Sequence, residues 1–148
     1  MPIPAFDEHG LLPSGIHECT LDDIKRTFGA FRDTDRRPSL FARLEAFFAE
    51  VKAARLVRKI VVNGSFVAAK FDPNDIDLII VVPADHDFSA DLSPAEYNVL
   101  SKQRVHRRHG FDLLVAREGS IEYERWLEFF QQVRLEPGRR KGILRLTL

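Results

Sequence analysis

Large apolar side chains recur every three or four residues in four stretches of the chain. The longest stretch covers residues 38–56, where Leu and Phe side chains would form one wide apolar stripe. Two other stretches begin with a capping box, Thr20 with Asp23 and Ser93 with Glu96. This spacing predicts four helices, over residues 20–29, 38–56, 93–109 and 119–133.

Continuous or alternating apolar runs predict the strands. Residues 57–62, 76–82 and 111–116 are rich in β-branched and aliphatic side chains, as in strands that are covered on both faces. Residues 142–148 alternate between apolar and polar positions and predict a last strand, at an edge of the sheet. Residues 1–20 are rich in Pro, Gly and polar residues with isolated apolar positions, so we expect an arm that lies across the domain.

Helices and strands in this order predict one α/β (α+β) domain over residues 1–148, with a small mixed β-sheet packed against helices. It consists of the arm, a core at residues 60–116 that carries the candidate chemistry, and the C-terminal strand. With 45% hydrophobic residues, a chain of 148 residues is long enough to bury a core. The formal net charge is zero, so charge gives no argument for binding nucleic acid or a membrane.

Cysteine content and hydropathy predict the compartment. The chain has one cysteine, Cys19, which excludes an internal disulfide framework and fits a reducing environment. No apolar run approaches the length of a membrane span, and the N-terminus has no basic and then apolar signal segment. We therefore expect a soluble, cytoplasmic protein without a membrane partner.

Two aspartates, Asp75 and Asp77, open the second long strand. On an extended strand they would project from the same side, and two adjacent carboxylates repel each other unless a divalent cation lies between them. Gly64 and Ser65 directly follow the preceding strand, where backbone N–H groups can approach a phosphate. The sequence therefore predicts a combined metal and phosphate site. The alternative for Asp75 is a turn cap, with its carboxylate bonded to a nearby backbone N–H.

Gly64–Ser65, followed by Asp75 and Asp77 in an apolar strand, resembles the signature of the nucleotidyltransferase superfamily with the DNA polymerase β fold. Members of that superfamily carry a third carboxylate between apolar residues of a later strand, and Asp112 fits that position here. The resemblance implies a site for two Mg²⁺ ions held by the three aspartates, and these three are its catalytic residues. Residues 6–17 and 64–75 are also similar to small, uncharacterised bacterial proteins assigned to the superfamily.

The resemblance also implies how a nucleotide would be held. Gly64 and Ser65 would contact the β- and γ-phosphates of a nucleoside triphosphate, with ATP as the expected substrate. Lys70 would reach a phosphate or, alternatively, is an exposed loop lysine. Active small members carry an Arg and a Gly shortly after the Gly-Ser pair. This chain instead has the apolar residues Phe66, Val67, Ala68 and Ala69 there. Nucleotide recognition in this chain therefore departs from the family pattern.

Two functions of different classes are consistent with these residues. The first is a Mg²⁺-dependent nucleotidyltransferase that moves a nucleotidyl group to a hydroxyl of a protein, an RNA or a small molecule. The second is a binding module in which catalysis is weak or absent, such as a toxin–antitoxin component or a homodimer formed through the C-terminal strand. A domain that binds a metal or small ligand without group transfer is a simpler third option.

Three charged segments have both a functional and a structural interpretation. The basic residues at 102–109 and 139–141 would receive a triphosphate or an RNA, or else lie on solvated surfaces. Asp33 and Asp35 mimic an Asp-x-Asp pair without a flanking apolar strand. We therefore expect them in a solvated, charged connector at residues 32–37.

Overall fold

The computed structural model describes residues 3–30, 34–70 and 72–148. This part of the chain forms five α-helices, one short 3-10 helix at Ser65–Val67 and a five-stranded mixed sheet, which confirms the predicted α/β class. The helices are α1 Leu21–Phe28, α2 Arg36–Ala54, α3 Pro94–Leu100, α4 Lys102–His109 and α5 Ile121–Phe130. The strands are β1 Gly15–Glu18, β2 Lys59–Asn63, β3 Asp77–Val82, β4 Asp112–Arg117 and β5 Gly142–Thr147.

The strands lie in the order β1-β5-β2-β3-β4. β2 is antiparallel to both of its neighbours, whereas the outer pairs β1–β5 and β3–β4 are parallel. The C-terminal strand β5 therefore lies inside the sheet, and the prediction that it is an edge strand is wrong. Its outer side is covered by β1, a short and polar strand within the N-terminal arm that the apolar pattern did not reveal.

The N-terminal arm packs into the protein, as predicted, and also supplies that edge strand. Leu12 is buried, and the ring of Phe6 lies 5.8 Å from the ring of Phe28 in α1. A Cβ atom at Gly142 would lie 2.1 Å from the carbonyl oxygen of Pro13, so only glycine allows this close approach of the arm to β5.

Three of the four predicted helix starts are confirmed, whereas α2 begins at Arg36, two residues before the predicted start, and two of the predicted helices are divided or shortened. Thr20 and Ser93 form complete capping boxes with Asp23 and Glu96. The helix predicted over 93–109 is divided into α3 and α4, because Ser101 is extended and caps α4 by accepting a hydrogen bond from the next turn. α5 ends at Phe130 and not at residue 133. Among the described helices, none is both long and apolar enough to cross a membrane.

The two faces of the sheet have different coverings. On one face, which we call the helical face, buried residues of α1, α2, α3 and α4 pack against alternate residues of β2 to β5 in one large core cluster. On the other face, which we call the cleft face, a smaller cluster forms under α5, with Tyr123, Leu127 and Phe130 as its helical members. Because α5 has only ten residues, it covers only part of this face.

Arg37 shows that the charged connector is only partly solvated. Arg32 and Asp33 lie outside the described residues. Arg37, in the first turn of α2, is buried, and its guanidinium donates hydrogen bonds of 2.7 Å to the carbonyl oxygens of Phe66, Ala68 and Lys70. The prediction of a solvated residue is therefore wrong for Arg37, which instead fixes the segment after Gly64 and Ser65.

Candidate active site

Strand register brings three polar side chains into one row at the end of the sheet. Asn63 lies opposite Asp77 across the β2–β3 pair, and Asp77 lies opposite Asp112 across the β3–β4 pair. Neighbouring strands are about 4.8 Å apart, so each member of the row is a direct neighbour of the next. The structure thus brings Asp77 and Asp112 together, as the sequence predicted, and adds Asn63 beside them.

Asp75 takes a different position from the predicted one. β3 begins at Asp77, so Asp75 precedes the strand, and the alternation that was expected to align the two carboxylates does not apply. The Asp75 carboxylate accepts hydrogen bonds from the Ser65 hydroxyl and, at 3.0 Å, from the Ser65 backbone N–H. This arrangement is the turn cap that was predicted as the alternative role of Asp75.

Gly64 and Ser65 form a tight turn against the residues before β3. Gly64 has a φ angle of +103°, and a Cβ atom there would lie 2.6 Å from the carbonyl oxygen of Asp75, so no other residue fits without a backbone shift. The Ser65 hydroxyl also accepts a hydrogen bond of 3.1 Å from the Asn74 N–H. The position expected for a phosphate therefore holds an anion of the chain itself, the Asp75 carboxylate.

These residues lie at the floor of an open cleft of about 1060 Å³. Asn63, Gly64, Ser65, Asp75 and Asp77 line it, together with residues of the chain that connects α5 to β5. The volume is slightly above the usual range of about 300 to 1,000 Å³ for small-molecule sites. The cleft therefore has room for a nucleotide.

Two large apolar residues that line the cleft are exposed to solvent. Phe129 is 63% exposed and Leu135 is 92% exposed, and both line the cleft.

Asp112, on the edge strand β4, is not among the lining residues, and its carboxylate lies 3.4 Å from Nδ1 of His106 on α4.

The electrostatics of the site centre on Asp77. Burial raises the pKa of the Asp77 carboxyl to about 6, the negative charges of Asp75 and Asp112 add to this rise, and Lys141 opposes it. The carboxylates therefore repel one another more than the available positive charge compensates. A cation with high charge density would relieve this repulsion.

The lysine that lines the cleft is Lys141, and not Lys70 as the sequence predicted. Lys70 is exposed and lies outside the cleft lining, and its carbonyl group binds Arg37. Lys141 is half-buried in the cleft beside Asp77, and burial lowers the pKa of its ammonium while Asp77 and Asp75 act in the opposite direction. Within the described part of the chain, no carboxylate lies within ion-pair distance of Lys141.

The other basic residues of the two predicted clusters are mostly held by neighbours. Arg108 and His109 contact the carboxylate of Glu50 at 2.6 and 3.0 Å, and Arg104 donates a hydrogen bond of 2.5 Å to Asn98. These contacts favour a structural role for much of the basic cluster at 102–109.

In the cluster at 139–141 the two arginines are paired as well. Arg139 lies 3.3 Å from Glu136, and Arg140 forms a two-pronged ion pair with Glu128. Both arginines line the cleft, next to Lys141. Because both arginines are paired with glutamates, Lys141 is the residue of this cluster that is best suited to bind an anionic ligand.

The oxygen donors suit a hard cation in type, although their side chains are not arranged around a common point. Among the residues described, no group of three or more His, Cys, Asp or Glu side chains is positioned to hold one metal ion. The reason lies in the contacts given above, since Asp75 is turned to Ser65 and Asp112 to His106. Carboxylate and amide oxygens are the ligands that Mg²⁺ accepts, so Asp77, Asp112 and Asn63 fit the ion by donor type.

Sequence reasoning missed Asn63, and it named Lys141 only as a member of the basic cluster at 139–141. Asn63 had a readable signal, because it is a polar residue between the apolar residues 60–62 of β2 and Gly64. The position of Lys141 beside Asp77 had no such signal, because it depends on the pairing of β5 with β2.

Comparison with known proteins gives a family but no activity. No curated protein matches the chain. No solved structure matches it either. A family described as being of unknown function, DUF6932, matches residues 4–147, which is nearly the whole sequence. The chain therefore belongs to the DUF6932 family.

Proposed function

We propose that this protein is a Mg²⁺-dependent nucleotidyltransferase that moves a nucleoside monophosphate group from a nucleoside triphosphate, with ATP as the first candidate, to a hydroxyl group. The observation that carries the proposal is the pairing of Asp77 with Asp112 on neighbouring strands, next to a cleft that also contains Gly64 and Ser65. Rigid strands hold such carboxylates at fixed separation, which phosphoryl-transfer sites require.

The reaction needs little covalent chemistry from the protein. The acceptor oxygen attacks the α-phosphorus and forms a new P–O bond, while the bond from that phosphorus to the bridging oxygen breaks and pyrophosphate leaves. Asp112 accepts the proton of the acceptor hydroxyl. Asp77 and Asp112 would hold Mg²⁺, which supplies positive charge against the phosphoryl oxygens when bound. Lys141, which lines the cleft, would bind the leaving phosphates.

Label transfer tests the proposal. The purified chain is incubated with Mg²⁺ and each nucleoside triphosphate labelled at the α-phosphate, with the chain itself, RNA and small hydroxyl compounds as acceptors. We expect transfer to at least one acceptor, and a loss of at least about 100-fold in Asp77→Asn. Asp91→Asn is the control, because Asp91 is an exposed aspartate outside the cleft lining. Equal transfer by wild type and Asp77→Asn would contradict the proposal.

One observation favours the binding module as a second candidate. The Ser65 N–H and hydroxyl are occupied by the Asp75 carboxylate, so a phosphate must displace an internal anion to reach them. A chain that never exchanges this contact would not bind a triphosphate there. Such a module would act by holding a protein or RNA partner, as a toxin–antitoxin component does, or by forming a homodimer.

Titration calorimetry with Mg²⁺ and a non-hydrolysable ATP analogue separates the two candidates. The transferase requires binding of the analogue, and Lys141→Met should weaken it about tenfold or more. The module predicts no binding of the analogue and no label transfer, together with a partner that co-purifies with the chain. In the described part of the chain, β1 and β4 are the edge strands at which such a partner would pair.

A further inference from the structure

Asn63 is a buried polar residue whose side chain is not satisfied by the protein. It is only 6% exposed, and its Oδ1 atom has no hydrogen-bond partner among the described residues. An unsatisfied buried acceptor destabilises the folded state, because the desolvation of its oxygen is not compensated. A side chain held at this cost at the floor of a cleft indicates a ligand that donates to oxygen or is coordinated by it.

The strand register places this oxygen next to Asp77. Asn63 is the last residue of β2 and is directly opposite Asp77 in an antiparallel pair. Val61 and Ile79, two positions along each strand, both belong to the cluster under α5, so Asn63 and Asp77 project from the same cleft face. Residues so paired have Cβ atoms about 4.5 to 5.5 Å apart, which is close enough for both oxygens to reach one ion.

Asn63 and Asp75 differ in what holds them. Asp75 lies in a turn outside β3 and its carboxylate is already bonded to Ser65, whereas Asn63 is fixed in a strand between two others and its oxygen is unpaired. A side chain that its strand already holds loses little conformational freedom when it binds a cation. Asn63 is therefore the better second donor beside Asp77.

We propose that Asn63 Oδ1 and the Asp77 carboxylate together hold one divalent cation of the hard, oxygen-preferring class, with Asp112 as the neighbouring carboxylate on β4. Asp75 then keeps the turn at Gly64 and Ser65 in place. This inference rests on the part of the proposed function that places a divalent cation at Asp77, and it adds a ligand that the pattern of three aspartates does not contain.

Mn²⁺ alone, added to the full chain without nucleotide, is the probe, and its free concentration is measured by electron paramagnetic resonance. Asn63→Leu keeps the volume and removes the oxygen, and we expect it to weaken Mn²⁺ binding at least tenfold. Asn63→Asp should bind Mn²⁺ at least as tightly as wild type. Asn74→Ala is the matched control, because Asn74 is an exposed asparagine of the adjacent turn, and it should bind as wild type does.

Thermal unfolding checks that each variant is folded, and Asn63→Ala replaces Asn63→Leu if the latter does not fold. Wild-type Mn²⁺ affinity in either variant, or no Mn²⁺ binding by wild type, would overturn the inference. The label-transfer assay is separate from this one. Transfer by wild type with Mn²⁺ binding independent of Asn63 refutes only the new ligand. Binding that depends on Asn63 without any transfer refutes only the transferase.

Discussion

The two faces of the sheet differ in how completely they are covered and in what their buried polar groups contact. Four helices cover the helical face, whereas α5 alone covers the cleft face and leaves the ends of β2, β3 and β5 open. On the helical side, buried Arg37 donates to backbone carbonyls. On the cleft side, buried Asn63 has an unpaired oxygen, and the pKa of Asp77 is raised.

This difference between the two faces indicates which part of a small domain is suited to bind a ligand. A fold tolerates a buried charge when the surrounding backbone satisfies it, and then the charge serves the structure. An unsatisfied polar group or a repelled carboxylate lowers the stability of the folded state, and it is retained where a ligand compensates. The cleft end of β2 and β3 has both features.

The largest expected effect is on the helical side. Arg37→Met removes the donor from several buried or half-buried carbonyls, so we expect the free energy of unfolding to fall by at least about 3 kcal/mol. Denaturant titration measures it. Arg36→Met is the control, because Arg36 is its exposed neighbour with a long 3.6 Å contact to Asp72. A change within about 0.5 kcal/mol is expected there, and equal effects in both variants would contradict the assigned role of Arg37.

On the cleft side the opposite sign is expected. Asp77→Asn removes a repelled, half-buried charge, and we expect it to raise the free energy of unfolding by about 1 to 2 kcal/mol at pH 7.5 without added metal. The same denaturant titration measures this gain. The exposed Asp91→Asn should leave stability within about 0.5 kcal/mol of wild type. Destabilisation by Asp77→Asn would show that the Asp77 charge has a compensating partner.

The gain in Asp77→Asn should depend on pH. The folded-state pKa of about 6 lies above the ordinary value of 3.8, so the folded state binds the proton more tightly than the unfolded state. The stability of wild type relative to Asp77→Asn is therefore highest below about pH 4 and is lost as the pH rises through 6. Unfolding titrations of both proteins between about pH 3.5 and 8 measure this difference in stability.

The stability of wild type must be compared with that of Asp77→Asn, because other carboxyl groups change the stability with pH in the opposite direction. Hydrogen bonds lower the pKa of Asp23, Asp87 and Glu96, so their contributions are lost as the pH falls. These contributions cancel between the two proteins. A wild-type to variant difference that stays constant from pH 4 to 7 would contradict the raised pKa of Asp77.

The smallest effect concerns the turn that holds Asp75. Ser65→Ala removes a hydroxyl that donates to the Asp75 carboxylate and accepts from the Asn74 N–H, and we expect a loss of about 1 kcal/mol in the free energy of unfolding. Ser89→Ala, which removes a similar bond to Asp87 in an exposed loop, should cost less than about 0.5 kcal/mol. Equal losses would mean that the turn at Ser65 is no better ordered than a surface loop.

Much of the fold was predictable because it depends on nearby residues. The capping boxes at Thr20 and Ser93 involve partners three residues away, and the apolar stripe of α2 follows from the helical period. The strands at the core of the sheet were predicted to within two residues. β1 was missed because four mostly polar residues become a strand only when β5 lies beside them.

The candidate site was predictable in part for the same reason. The sequence showed an aspartate inside an apolar strand at Asp77 and another at Asp112, and these residue types required a partner wherever they lay. It placed Asp75 on the wrong structure, because β3 begins two residues later and the carboxylate turns to Ser65. The position of Lys141 beside Asp77 could not be inferred, since no local pattern encodes it.

By itself the sequence determined the types of secondary structure, most of their boundaries and the residues capable of the chemistry. Only the tertiary structure decided the register that aligns Asn63, Asp77 and Asp112, the burial of Arg37, and the interior position of β5. The physical reason is range. Helix caps and apolar periods are set by contacts a few residues apart, whereas register and burial are set by packing between segments that meet only after the chain has folded.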